Sequence, residues 1–106
     1  MLEISTRQVA QVILMGRELG RAEGELRGLI DRLSEDAQAE LVALMWIGRG
    51  SFFEPEDLPE AINTARQEAT TPTADYLIGT PHLSEHLENG LDALGISATD
   101  AEDDLM

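Results

Sequence analysis

LSEDAQAELVALMWIGRGSFF, Leu33 to Phe53, is the stretch that decides the fold. Every residue from Leu41 to Ile47 is apolar, so a helix built from them has no solvent face there and must be covered on all sides. It reads as a buried central helix. Ser34 is a good N-cap, and Glu35 and Asp36 suit the positive end of the helix dipole. The spacing predicts a helix over about 35–47, with Gly48 as a left-handed C-cap and Arg49-Gly50-Ser51 continuing as loop. Trp46, Phe52 and Phe53, three of the four aromatics, cluster at this exit. In a protein this small such a cluster plugs the core; the other reading is a hot spot for a partner.

Upstream, Ile4-Ser5-Thr6-Arg7-Gln8-Val9 carries a capping box in Ser5 and Gln8, with Ile4 and Val9 at the staple positions. A helix is expected from Thr6, with Val9, Val12, Ile13, Gly16 and Leu19 at core-facing spacing. Gly16, Gly20, Gly24 and Gly28 then follow four apart. Each costs a helix about 1 kcal/mol relative to alanine, which favours a break near Gly20 to Gly24. A second short helix over Glu25 to Leu33 would carry Leu26, Leu29, Ile30 and Leu33 inward. The alternative for the glycines is a small-residue packing ridge.

Downstream, Pro55 and Pro59 stand where a helix start tolerates a missing amide hydrogen. Leu58, Ala61, Ile62, Ala65 and Ala69 make the buried stripe of that helix, and Thr70-Thr71-Pro72 ends it. Thr73 caps a short helix through Ile78, which Gly79 closes. Thr80-Pro81 opens the last helix, with Leu83, Leu87, Leu91 and Leu94 on one face and Gly95 as its end; Ile96 folds back onto that face. No segment alternates with period two. The expected fold is all-α, an irregular compact bundle of five to six helices in a single domain over 1–96, with 97–106 as an acidic disordered tail.

The patterns LSEDAQAELVALMWIGRGSF and TADYLIGTPHLSEHLENGLDALG resemble a family of small bacterial proteins classed as a domain of unknown function. The resemblance runs from about Leu26 to Gly95. It implies a compact helical domain and carries over no catalytic or binding residue.

Composition narrows the function classes. The chain has 106 residues and no cysteine, which removes disulfides, thiolate metal sites and a cysteine nucleophile. All seven basic residues are arginine, so lysine chemistry is also absent. The net charge of -14 lies entirely beyond residue 33, where Arg49 and Arg66 face sixteen acids. Such a field opposes nucleic acid and anionic membranes, and neither is expected as a partner. Without a signal-peptide pattern or an apolar run near the roughly 18 residues of a membrane span, the expected location is the cytoplasm.

His82 and His86, with Glu85 between them, fit the H-x-x-E-H pattern of inverted zinc peptidases. A catalytic zinc also needs a third protein ligand, and both histidines fall at the edge of the polar face of the helical wheel. Glu54-Pro55-Glu56-Asp57 and the tail acids read as solvated runs. Gly48-Arg49-Gly50 offers one arginine and loop amides to an anion. No catalytic residue, cofactor or metal is therefore assigned. The preferred function is a small acidic module that binds a protein partner or forms a homodimer, with Trp46, Arg49, Phe52, His82 and His86 as interaction candidates. The alternative is a small-molecule or anion-binding domain using Arg49 or the His82/His86 pair.

Overall fold

The computed structural model describes residues 4–50, 54–68 and 71–95. Among the described residues six α-helices follow one another: α1 (Thr6–Arg17), α2 (Leu19–Arg32), α3 (Glu35–Arg49), α4 (Leu58–Gln67), α5 (Thr73–Ile78) and α6 (Leu83–Ala93), with a short 3₁₀ turn at Pro55–Asp57 before α4. The described residues contain no strand, and the fold is the expected all-α bundle.

Local signals set the helix starts. Ser5 Oγ accepts the Gln8 amide at 3.1 Å, and the Gln8 side chain accepts the Ser5 amide at 3.0 Å, completing the capping box of α1. Ile4 and Val9 are both buried behind it. Ser34 Oγ accepts the Ala37 amide at 3.1 Å and starts α3. Gln38 then reaches back, donating to the Ile30 and Leu33 carbonyls at 2.9 and 3.2 Å, so the α2 terminus is satisfied by the helix that follows it.

α3 is the hub. Leu41 to Met45 and Ile47 are buried, and Trp46 is half-buried. Its largest interface is with α6; α4 and α5 cover its other sides, α1 packs on α2 and α6, and α2 leans on α5. Exposed ion pairs Arg17–Glu88, Arg27–Asp75 and Arg66–Asp36 link α1 to α6, α2 to α5 and α4 to α3. Pairs this exposed fix orientation more than they stabilise.

The glycines depart from the sequence reading. Gly48 is not the cap of α3: the helix runs two residues further, to Arg49, and Gly50, with φ +74°, holds the left-handed position. Gly48 is instead pressed against α6, where a Cβ would overlap the His86 carbonyl oxygen and lie 2.6 Å from Gly90 N. Gly90 answers from the other side, since its Cβ would overlap the Leu44 carbonyl oxygen. Glycine at both positions lets two helix backbones touch, which no side chain permits.

The break expected at Gly20 to Gly24 lies earlier, at Glu18 (φ −116°, ψ 39°), which ends α1 and begins α2. A turn is needed there because Val9, Val12 and Ile13 on one helix and Leu26 and Ile30 on the next all have to reach the same core. Gly20, Gly24 and Gly28 stay helical and meet nothing within 4 Å at their Cβ positions, so they are neither a break nor a ridge within the chain. Gly16 alone of the series is packed, its Cβ position 2.5 Å from Ser84 Oγ. That hydroxyl is buried and donates to the Ile13 carbonyl at 2.7 Å, clamping α1 to α6.

Three smaller differences follow the same physics. α6 starts at Leu83 rather than at Thr80-Pro81, because His82 takes a left-handed conformation (φ 58°) that a helix cannot include. Thr73 is the first residue of α5, and Pro72 holds the cap position without a side-chain bond. Ala61 and Ala65 are buried on α4 as expected, whereas Leu58 and Ile62 are half-buried. Phe52, Phe53, Ala69, Ile96 and the acidic tail lie outside the described residues.

One buried charge was not foreseen. Glu40, 5% exposed on α3, accepts the Ile4 amide at 2.8 Å and so ties the start of α1 to the central helix. Glu40→Ala orphans a buried donor, and urea unfolding should show a loss of about 2 kcal/mol; unchanged stability would remove this tie from the account. The glycines should separate by sign. Gly48→Ala and Gly90→Ala should each lower stability by about 3 kcal/mol, a fall in melting temperature of roughly 10 °C or more. Gly20→Ala and Gly24→Ala should raise stability by about 0.5 to 1 kcal/mol in the same scan.

Candidate functional site

α3 presents Val42 and Trp46 one turn apart toward α4 and α5. α4 contributes only the small Ala65 at this level, with Glu68 at its C-terminal end, and α5 contributes Thr73 and Tyr76. A groove remains where a larger residue on α4 would have closed the surface. Its narrow end encloses about 230 Å³ between Trp46, Tyr76, Val42 and Glu68. Its wide end, about 560 Å³, continues past Val42, Ala65 and Thr71 to Glu35, Asp36 and Arg66.

Trp46 Nε1 donates to the Tyr76 hydroxyl oxygen at 2.9 Å. That bond spends the indole donor and holds the two half-buried aromatics together as one wall. The rim carries three carboxylates, Glu35, Asp36 and Glu68, against one cation, Arg66, which is engaged by Asp36. The remaining polar lining near the aromatics consists of the hydroxyls of Thr71, Thr73 and Tyr76. Acceptors therefore dominate, on an aromatic and aliphatic floor. This is chemistry for holding a ligand with donors.

A second depression of about 430 Å³ lies at the start of α6, lined by Gly16, Arg17, the 78–81 turn, His82 and Glu85 among others. Arg17 pairs there with Glu88, and His82 Nδ1 is 3.7 Å from a Glu85 carboxylate oxygen. Ser84 is spent on the Ile13 carbonyl and has no base beside it in that bond. The H-x-x-E-H pattern implies two imidazoles on one helical face; His82 instead precedes the helix with its side chain 74% exposed, and His86 is half-buried on α6. Among the described residues no three histidine, aspartate or glutamate side chains gather as a metal site.

The sequence candidates are thus dispersed. Trp46 lines the α3–α4–α5 groove and His82 the α6 depression, while Arg49, exposed in the last turn of α3, and His86 line none of these cavities. Phe52 lies outside the described residues. Tyr76, Glu68 and Val42 were missed. Tyr76 had a usable signal, being the one large aromatic outside the Trp46 cluster and set in a short helix.

No helix among the described residues is long and apolar enough to cross a membrane. No curated protein and no solved structure matches the chain. Residues 23–96 match the profile of the protein family of unknown function DUF3775. That span holds most of α2, the whole of α3 to α6, the facing glycines and every described residue of the groove, and the chain belongs to this family.

Proposed function

We propose that this chain is a small acidic protein-interaction module of the cytoplasm, without catalytic activity, and that the groove between α3, α4 and α5 is its docking surface. The observation that carries this reading is the Trp46–Tyr76 wall, bonded at 2.9 Å and left half-buried beside Val42 and Ala65. Tryptophan and tyrosine with an apolar body and a satisfied polar tip are the residues that dominate binding hot spots. The cavities fit a short segment lying along the groove better than a large flat partner, since the narrow and wide ends share Val42, Ala65, Thr71 and Thr73. Support for the anion-binding alternative is weaker: Arg17 in the α6 depression is engaged by Glu88, and Arg49 lines none of the cavities.

Selection of a displayed random peptide library on immobilised protein tests the reading. Thr71, exposed and shared by both ends of the groove, allows a plug, Thr71→Tyr, that spares the core. Peptides should be enriched by the native chain and lost on the plugged variant, with the two proteins melting within a few degrees of each other. Enrichment that ignores the plug, or no enrichment over a blank surface, would overturn the groove as a docking site. Sedimentation equilibrium of both proteins should show the same monomer; a dimer abolished by Thr71→Tyr would make a second copy of the chain the occupant.

A further inference from the structure

We propose that the narrow end of the groove receives the guanidinium of an arginine from a basic partner segment. The inference rests on the docking reading above and names the chemistry of the partner. At about 230 Å³ the narrow end of the groove has room for the end of a single side chain. Two of its walls are Trp46 and Tyr76, whose ring faces attract a cation by their quadrupoles. The indole N–H is occupied by Tyr76, so it offers little to an anion. Glu68 lines the same cavity, and a planar guanidinium can answer both features at once by stacking on a ring and donating to carboxylate oxygens.

Charge complementarity extends along the groove. Of the charged lining residues, Glu35, Asp36 and Glu68 set against Arg66 leave a net charge of −2, in a chain whose total is −14. Arg66 already engages Asp36, which leaves Glu35 at the wide end for a second cation of the same segment. An acidic segment, a nucleic acid or an anionic headgroup meets the opposite field. The occupant is therefore an extended basic stretch of a partner protein, with one arginine seated against Trp46 and Tyr76 and a further basic residue toward Glu35.

The chain contains a single tryptophan, so Trp46 emission reports on the cavity directly. The probe is a capped heptapeptide alternating alanine with arginine, titrated into the full chain at two salt concentrations. Saturable change in Trp46 emission is expected, weaker at high salt. Glu68→Gln should raise Kd by about fivefold or more, while Glu85→Gln, the same charge change in the α6 depression, should leave it within about twofold. The citrulline version of the peptide, neutral and of nearly the same shape, should not bind. Equal weakening by both variants would reduce the effect to net charge and overturn the inference, as would binding of the citrulline peptide or no saturable change. Agmatine, a free guanidinium, should bind far more weakly than the peptide; equal affinity would overturn the partner segment in favour of a free small cation. Should the peptide library instead yield groove-dependent binders that lack basic residues, the docking reading stands and the arginine pocket fails. No enrichment at all overturns both.

Discussion

Two helix backbones in contact set the frame of this protein. Gly48 on α3 lies against the His86 carbonyl of α6, and Gly90 on α6 lies against the Leu44 carbonyl of α3. Helices separated by side chains pack with axes about 8 to 10 Å apart, and glycine on each partner is what lets them come closer. Close approach makes α3 and α6 a single slab, the largest helix pair in the bundle. The apolar run Leu41 to Ile47 then has one side closed by backbone and Leu87 and Leu91, leaving α4 and α5 to close the rest. A third close contact extends the pattern: Gly16 gives room to Ser84, and the Ser84 hydroxyl reaches the Ile13 carbonyl, so α1 is laid onto the same slab.

The groove is a consequence of how α3 is covered on its remaining side. α4 meets α3 through Ala61 and Ala65, residues too small to fill the space beside Val42 and Trp46. α5 supplies Tyr76, which binds the indole nitrogen rather than burying it. Glu68, at the C-terminal end of α4, sits where the helix dipole would favour a cation, so dipole complementarity does not account for its position. Glu35 and Asp36 differ in this respect: they occupy the first turn of α3, where the dipole alone favours acids. Of the rim charges, Glu68 is the one that helix stability does not account for, and the proposed arginine pocket would give it a role.

What was legible in the sequence was what is local. Ser5 with Gln8, Ser34 with the following acids, and the unbroken apolar run of α3 each act within one or two turns, and each was read correctly. Gly48 was read as a stop because an isolated helical glycine carries no mark of the His86 carbonyl thirty-eight positions away that requires it. The same limit hid Gly90. Glu40 was visible in principle, since it falls between Ala37 and Leu44 on the buried stripe of α3, and a lone acid there implies a buried donor. The histidine spacing assumes one helix through both residues, and the left-handed backbone at His82 places that residue before the helix instead. The groove needs three helices to exist, so Tyr76 and Glu68 could not be joined to Trp46 from the sequence.

Native-state amide hydrogen exchange across the chain tests most directly the claim that the α3–α6 contact is the foundation. Amides of α3 from Leu41 to Gly48 and of α6 from Leu87 to Leu91 should exchange slowest, at the rate of global unfolding, while the outer turns of α2 around Gly20 and Gly24 exchange earlier through local opening. Protection that persists in α1 and α2 after the α3 and α6 amides have exchanged would contradict the account, because the bundle would then stand without the contact on which every other packing relation is built here.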